Sequence, residues 1–110
     1  MTQAAATAGP GAAPLTQAQQ KAIRKIYNTI RHHLTDEDIV GALRDIIGNP
    51  VPKPGGGFWN HAQEVNDALR GLRNQLRLLE GVNTPEANAA RQAALDAIRR
   101  VEAALNGAGI

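Results

Sequence analysis

Most of the side chains in this chain that could do chemistry are collected in one segment, Gly48 to Val65, which reads GNPVPKPGGGFWNHAQEV. His61 and Glu64 stand three residues apart, one helical turn, close enough to interact. Histidine is the side chain whose ordinary titration falls nearest neutral pH. Beside a carboxylate and partly shielded from water, it can serve as a general acid or base. The only tryptophan, Trp59, and the loop cation Lys53 come just before, and Asn60 links Trp59 to His61. Arg70, Arg73 and Arg77 follow at spacings of 3 and 4, which align them on one flank of a helix. A cationic stripe beside an exposed Trp and a His suits single-stranded RNA, since charge meets the backbone and an aromatic face takes a base. Each residue also has a plainer role. His61 can cap or pack against a helix end, the arginines can form a solvated flank, and Trp59 and Phe58 can fill the core.

Other chemistries find little support in the residue types. His32 and His33 are neighbours, about 100° apart around a helix, so they do not converge on one ion. They read as solvated or helix-end residues, where positive charge is mildly favourable. There is no cysteine and no HExxH, and the one carboxylate cluster, in TDED, serves better as a helix start. The expectation is therefore a metal-independent protein without a cofactor. PGGG lacks the GxxxxGK[ST] pattern of a phosphate loop, although glycines ahead of a helix N-terminus still let a phosphate approach. A net charge of +2 and a pI near 9.5 are compatible with an anionic partner. No apolar run approaches the roughly 20 residues of a membrane span. Residues 1–14 lack the basic start and apolar middle of a signal peptide, so export would depend on a larger carrier or a specialised secretion system.

The elements that must position these residues are helices. Residues 1–15 are low-complexity Ala, Gly, Pro and Thr and read as a disordered tail or linker, which leaves 16–110 as the helical domain. Thr16 and Gln19 form a capping box ahead of an apolar stripe of Ile23, Ile26, Tyr27, Ile30 and Leu34. Thr35 and the acidic TDED open a second helix, with Ile39, Val40, Leu43, Ile46 and Ile47 as its buried face and Gly48 and Pro50 as its stop. A third helix runs from about Asn60 to Glu80 on Val65, Leu69, Leu72, Leu76 and Leu79. Gly71 inside it costs about 1 kcal/mol against Ala, which suggests close helix packing or a ligand near the backbone. Thr84, Pro85 and Glu86 start a fourth helix, joined to the third as an antiparallel hairpin. Val51 to Lys53 is at most a strand edge. The fold class is all-α, a small bundle of about four helices with a long ordered Pro/Gly-rich loop before the third.

With those residues laid out, the segment resembles the polymorphic toxin type 28 domain (bacterial toxin 28). The resemblance rests on a pattern D-I-x-G…R-D…G-x-P-V-x-K…G-x-x-W-[DN]-H-x-x-E-V-x-x-A-x-x-G-L-x-N, met here from Asp38 through Arg44, Lys53, Trp59, His61 and Glu64 to Asn74. It covers about residues 35–105, and Asn60 stands where Asp is commoner. The resemblance implies an antibacterial toxin of interbacterial, contact-dependent competition, a ribonuclease that acts in the target-cell cytoplasm and is neutralised by a cognate immunity protein. The chain starts with Met and shows no large carrier region, which suits an excised C-terminal domain or a stand-alone member. Metal-free RNA cleavage needs a base for the 2′-hydroxyl proton, an acid for the leaving oxygen and cations for the phosphate. His61, Glu64 and Lys53 are the catalytic candidates, and Trp59, Asn60, Arg44, Arg70 and Asn74 the substrate-binding ones. The competing expectation is a non-enzymatic helical module or secreted effector whose Trp loop docks a protein.

Overall fold

The computed structural model describes residues 14–107 as four helices: α1 (Gln17–His33), α2 (Asp36–Ile46), α3 (His61–Leu78) and α4 (Pro85–Gly107). The low-complexity tail expected over 1–15 lies almost wholly outside the described residues. Each helix begins on the residue that its local chemistry favours. Thr16 accepts from the Gln19 amide at 3.1 Å and Gln19 reaches back to the Thr16 amide at 2.8 Å, completing a capping box. Thr35 and Asp38 repeat the arrangement at the start of α2, where Asp36, Glu37 and Asp38 also meet the positive end of the helix dipole. Asn60 caps α3 through the Gln63 amide, and the buried Thr84 hydroxyl accepts from the Ala87 amide ahead of α4.

Helix α3 is the central element and packs against the other three. Its apolar stripe supplies Val65, Leu69, Leu72 and Leu79 to a core completed by Ile26, Leu34, Ile39, Ile98 and Val101. Helix α4 contributes mostly small residues, with Ala87, Ala90, Ala94 and Ala97 all buried, so it lies close to its neighbours. Two arginines of α4 close the free carbonyl ends of other helices. Arg91 donates to the Leu79 and Val82 carbonyls at 2.7 and 2.9 Å, and Arg100 donates to the Leu34 carbonyl at 2.8 Å.

Three expectations change. Val40, Ile46 and Ile47, expected on the buried face of α2, are exposed, Ile47 by 67%. Helix α2 is only 11 residues long and packs mainly on α3, so one narrow side carrying Ile39, Ala42 and Leu43 is covered. Phe58 and Trp59 are not core fillers, being 61% and 41% exposed. Gly71 is not a close-packing glycine either, since a Cβ built there meets nothing within 4 Å.

The Pro/Gly segment is folded onto itself. The Trp59 amide donates to the Val51 carbonyl at 2.8 Å, the Lys53 amide to Gly57 at 3.0 Å and the Gly56 amide to Lys53 at 3.2 Å. A single antiparallel bridge joins Pro52 and Phe58, and no strand forms among the described residues. Gly55, Gly56 and Gly57 turn the chain with φ of +94°, +116° and +75°, values that L side chains rarely adopt. This small hairpin delivers Trp59 to the start of α3.

Candidate active site

His61 is the first residue of α3. Its ring lies against α2 at the one point where α2 has no side chain: a Cβ built on the buried Gly41 would fall 2.5 Å from His61 Nδ1 and 2.6 Å from Cγ. On another side stands Trp59, with ring centroids 5.9 Å apart at an interplanar angle of 42°. The ring is thus held between a glycine notch and an indole. Its Nδ1 is buried and has no hydrogen-bond partner, which leaves Nε2 as the open nitrogen.

Two clefts meet at His61 and Trp59. The larger, about 600 Å³, lies between α1 and α3 and is lined by His32, His33, Asp38, Glu64, Asp67 and Gly71 among others. The smaller, about 450 Å³, lies over α2 and includes Asp36, Glu37, Val40, Gly41, Arg44 and Val51. Glu64 is in the first turn of α3, where a carboxylate faces the positive end of the helix dipole. It shares the larger cleft with His61 without a direct hydrogen bond to it. His32 and His33, adjacent on the last turn of α1, both border that same cleft. Neighbouring helix positions diverge around one axis, but an open groove about 600 Å³ in volume takes in both.

The other candidates fall into two groups. Lys53 sits with its ammonium 5.0 Å above the Trp59 ring, a cation–π contact worth about 0.5–1 kcal/mol at an exposed site. Arg44 borders the smaller cleft while its Nε donates to the Asn49 carbonyl at 2.9 Å, tying the end of α2 to the loop. Asn60 is the α3 cap and lines a third groove of about 490 Å³ with Asp45 and Phe58. Arg70 and Asn74 lie farther along α3, about 13 and 20 Å from His61 by helical rise, and neither borders a described cleft. Each arginine of α3 has a neighbour on the surface. Arg70 pairs with Asp67 at 3.4 Å, Arg73 with Glu102 at 2.7 Å, and Arg77 donates to Asn74. No group of three or more His, Asp or Glu side chains with metal-binding geometry occurs among the described residues.

Gly41 and Asp45, the G and the final D of the pattern D-I-x-G…R-D, are marked by the resemblance without a role, and the structure shows Gly41 seating His61. Gly41 carried the same signal as Gly71, a glycine inside a helix at a cost of about 1 kcal/mol, yet it is the one that receives another side chain. Asp45, one turn beyond Gly41, accepts the Ala62 amide at 2.9 Å and so fixes the first turn of α3 from outside that helix.

The fold and site define a small all-α domain built around one seated histidine with an aromatic neighbour and flanking clefts. This chain belongs to the bacterial toxin 28 family, whose sequence profile matches residues 14–108. Over 96 residues, 87% of this chain, it is 54% identical to the tRNA nuclease CdiA of Escherichia coli O6:K15:H31 (strain 536 / UPEC). The matched region amounts to 3% of that protein's length. No helix among the described residues is long and apolar enough to cross a membrane.

Proposed function

We propose that this domain is the ribonuclease module of an antibacterial toxin, cutting RNA without a metal, with tRNA as the substrate class suggested by the name of the CdiA relative. The observation that carries the proposal is the seating of His61. One ring nitrogen is buried against Gly41, and the other is open where two clefts meet.

In this reaction His61 Nε2 removes the 2′-hydroxyl proton, and the 2′-oxygen bonds to the adjacent phosphorus as the bond to the 5′-oxygen breaks. That oxygen leaves with a proton from an acid, giving a cyclic phosphate and a 5′-hydroxyl. Glu64, one turn along α3, and His32 and His33 across the same cleft are the candidate suppliers of the second proton. Glu64 and the α3 dipole hold the electrostatics of the first turn, and Trp59 with Lys53 offers a base a ring face and a phosphate a cation. Arg44 borders the smaller cleft as a further phosphate contact. Arg70 and Asn74 would serve only a long substrate that runs along α3. Delivery into a target cell and a cognate immunity protein complete the proposal.

The exposed Phe58, Ile46 and Ile47 favour a second reading, a surface that docks a protein instead of RNA. Inducible expression in bacteria separates the two. Growth arrest with fragmented tRNA, abolished by a folded His61→Ala, is the expected result. Intact RNA at high levels of folded protein would refute the ribonuclease assignment.

A further inference from the structure

Among the described residues, two buried side-chain polar atoms have no hydrogen-bond partner in the protein: His61 Nδ1 and Asp45 Oδ1. A buried polar atom left unpaired costs roughly 1–3 kcal/mol, so two in one small domain call for an account. They are neighbours in the fold. Nδ1 lies against Gly41 on α2, and Asp45 is the residue one turn further along the same helix. Helix side chains lean toward the N-terminus, so the Asp45 carboxylate lies over the turn that carries Gly41. Its other oxygen, Oδ2, already accepts the amide of Ala62, the residue next to His61. The carboxylate and the imidazole therefore occupy one layer between α2 and the start of α3.

We propose that Asp45 is the positioning residue for His61. In this pairing a small shift of the imidazole or the carboxylate brings Oδ1 within reach of the Nδ1 proton, while Oδ2 keeps the Ala62 amide. The inference rests on the ribonuclease reading of the site but can fail separately from it. An ionised carboxylate only accepts hydrogen bonds, so its neighbour Nδ1 must carry the proton. Nε2 is then unprotonated in the neutral ring and ready to take the 2′-hydroxyl proton. One carboxylate thereby fixes the helix start and the tautomer together. The same oxygen stabilises the imidazolium formed after proton transfer.

Asp45→Asn makes the test sharp. The amide oxygen can still accept from Ala62, but its NH2 then faces Nδ1 and demands an acceptor there, driving the ring proton onto Nε2. Long-range 1H–15N spectra of the neutral imidazoles, with His61 assigned by comparison with His61→Gln, report the tautomer without any substrate. The expected result is an Nδ1–H tautomer in the wild type and an Nε2–H tautomer in Asp45→Asn. Cleavage of tRNA by Asp45→Asn should fall in kcat by at least about 100-fold with KM changed less than about threefold, as when a triad carboxylate is replaced by its amide. An Nε2–H tautomer in the wild-type protein, or an Asp45→Asn spectrum like the wild type, overturns the proposal. The wild-type spectrum alone decides if Asp45→Asn fails to fold. If the tautomers behave as expected while the wild type cuts no RNA, the pairing stands and the ribonuclease assignment falls.

Discussion

Gly41→Ala should nearly silence the site while leaving the domain folded. The added Cβ would fall 2.5 Å from His61 Nδ1 and 3.0 Å from Cε1. An ordinary carbon contact is about 3.5 Å, so the ring must retreat by about 1 Å. Retreat carries the ring toward Trp59, 5.9 Å away between ring centroids, whose indole is 41% exposed and can give way. Gly41 is not at positive φ, so alanine suits its backbone and gains about 1 kcal/mol of helix propensity. Overpacking costs about 1–3 kcal/mol, and the net loss of stability should not exceed about 2 kcal/mol. A 1 Å misplacement of a reacting group costs about 100-fold in rate, or about 2.7 kcal/mol on the barrier. Purified Gly41→Ala, assayed for tRNA cleavage alongside a thermal melt, should lose about 100-fold in kcat with a modest fall in Tm. Gly71→Ala is the matched control, because nothing lies within 4 Å of its Cβ. It should gain up to about 1 kcal/mol of stability, which checks the helix-propensity gain expected at Gly41. Wild-type cleavage by Gly41→Ala would refute the account of His61 as a residue whose placement is set by the notch.

Two further outcomes follow from the geometry. Trp59→Ala, measured in the inert His61→Ala background so that binding is separated from turnover, should weaken single-stranded RNA affinity by about 5- to 150-fold by fluorescence anisotropy. That range corresponds to one lost base stack of about 1–3 kcal/mol. Arg91→Ala removes the donor to the Leu79 and Val82 carbonyls and should destabilise the domain by about 1–3 kcal/mol in urea titration, with no direct effect on His61 chemistry.

Much of the architecture was legible in the sequence, because helix starts are local chemistry. Thr16, Thr35, Asn60 and Thr84 each satisfy backbone donors within three residues, and α3 carries its apolar stripe at spacings of 4, 3, 4 and 3. The position of His61 beside Trp59 at the start of α3 followed from the same local rules. What the sequence could not decide was which partner each face would find. Val40, Ile46 and Ile47 have the pattern of a buried face, yet a short α2 has too little neighbour to cover them. Arg70, Arg73 and Arg77 have the spacing of a cationic stripe, and which of them meets Asp67, Asn74 or the distant Glu102 is set by the fold. Gly41 and Gly71 are alike in sequence, and only the approach of α3 to α2 makes one a seat for a histidine ring and leaves the other open to a cleft. Period and capping are properties of a few consecutive residues, so the sequence by itself determined the helices and the place of His61. Which side chains meet across helices depends on contacts far apart along the chain, and only the tertiary structure decided the notch at Gly41, the Asp45 carboxylate on the Ala62 amide and the cleft that His61 shares with His32 and His33.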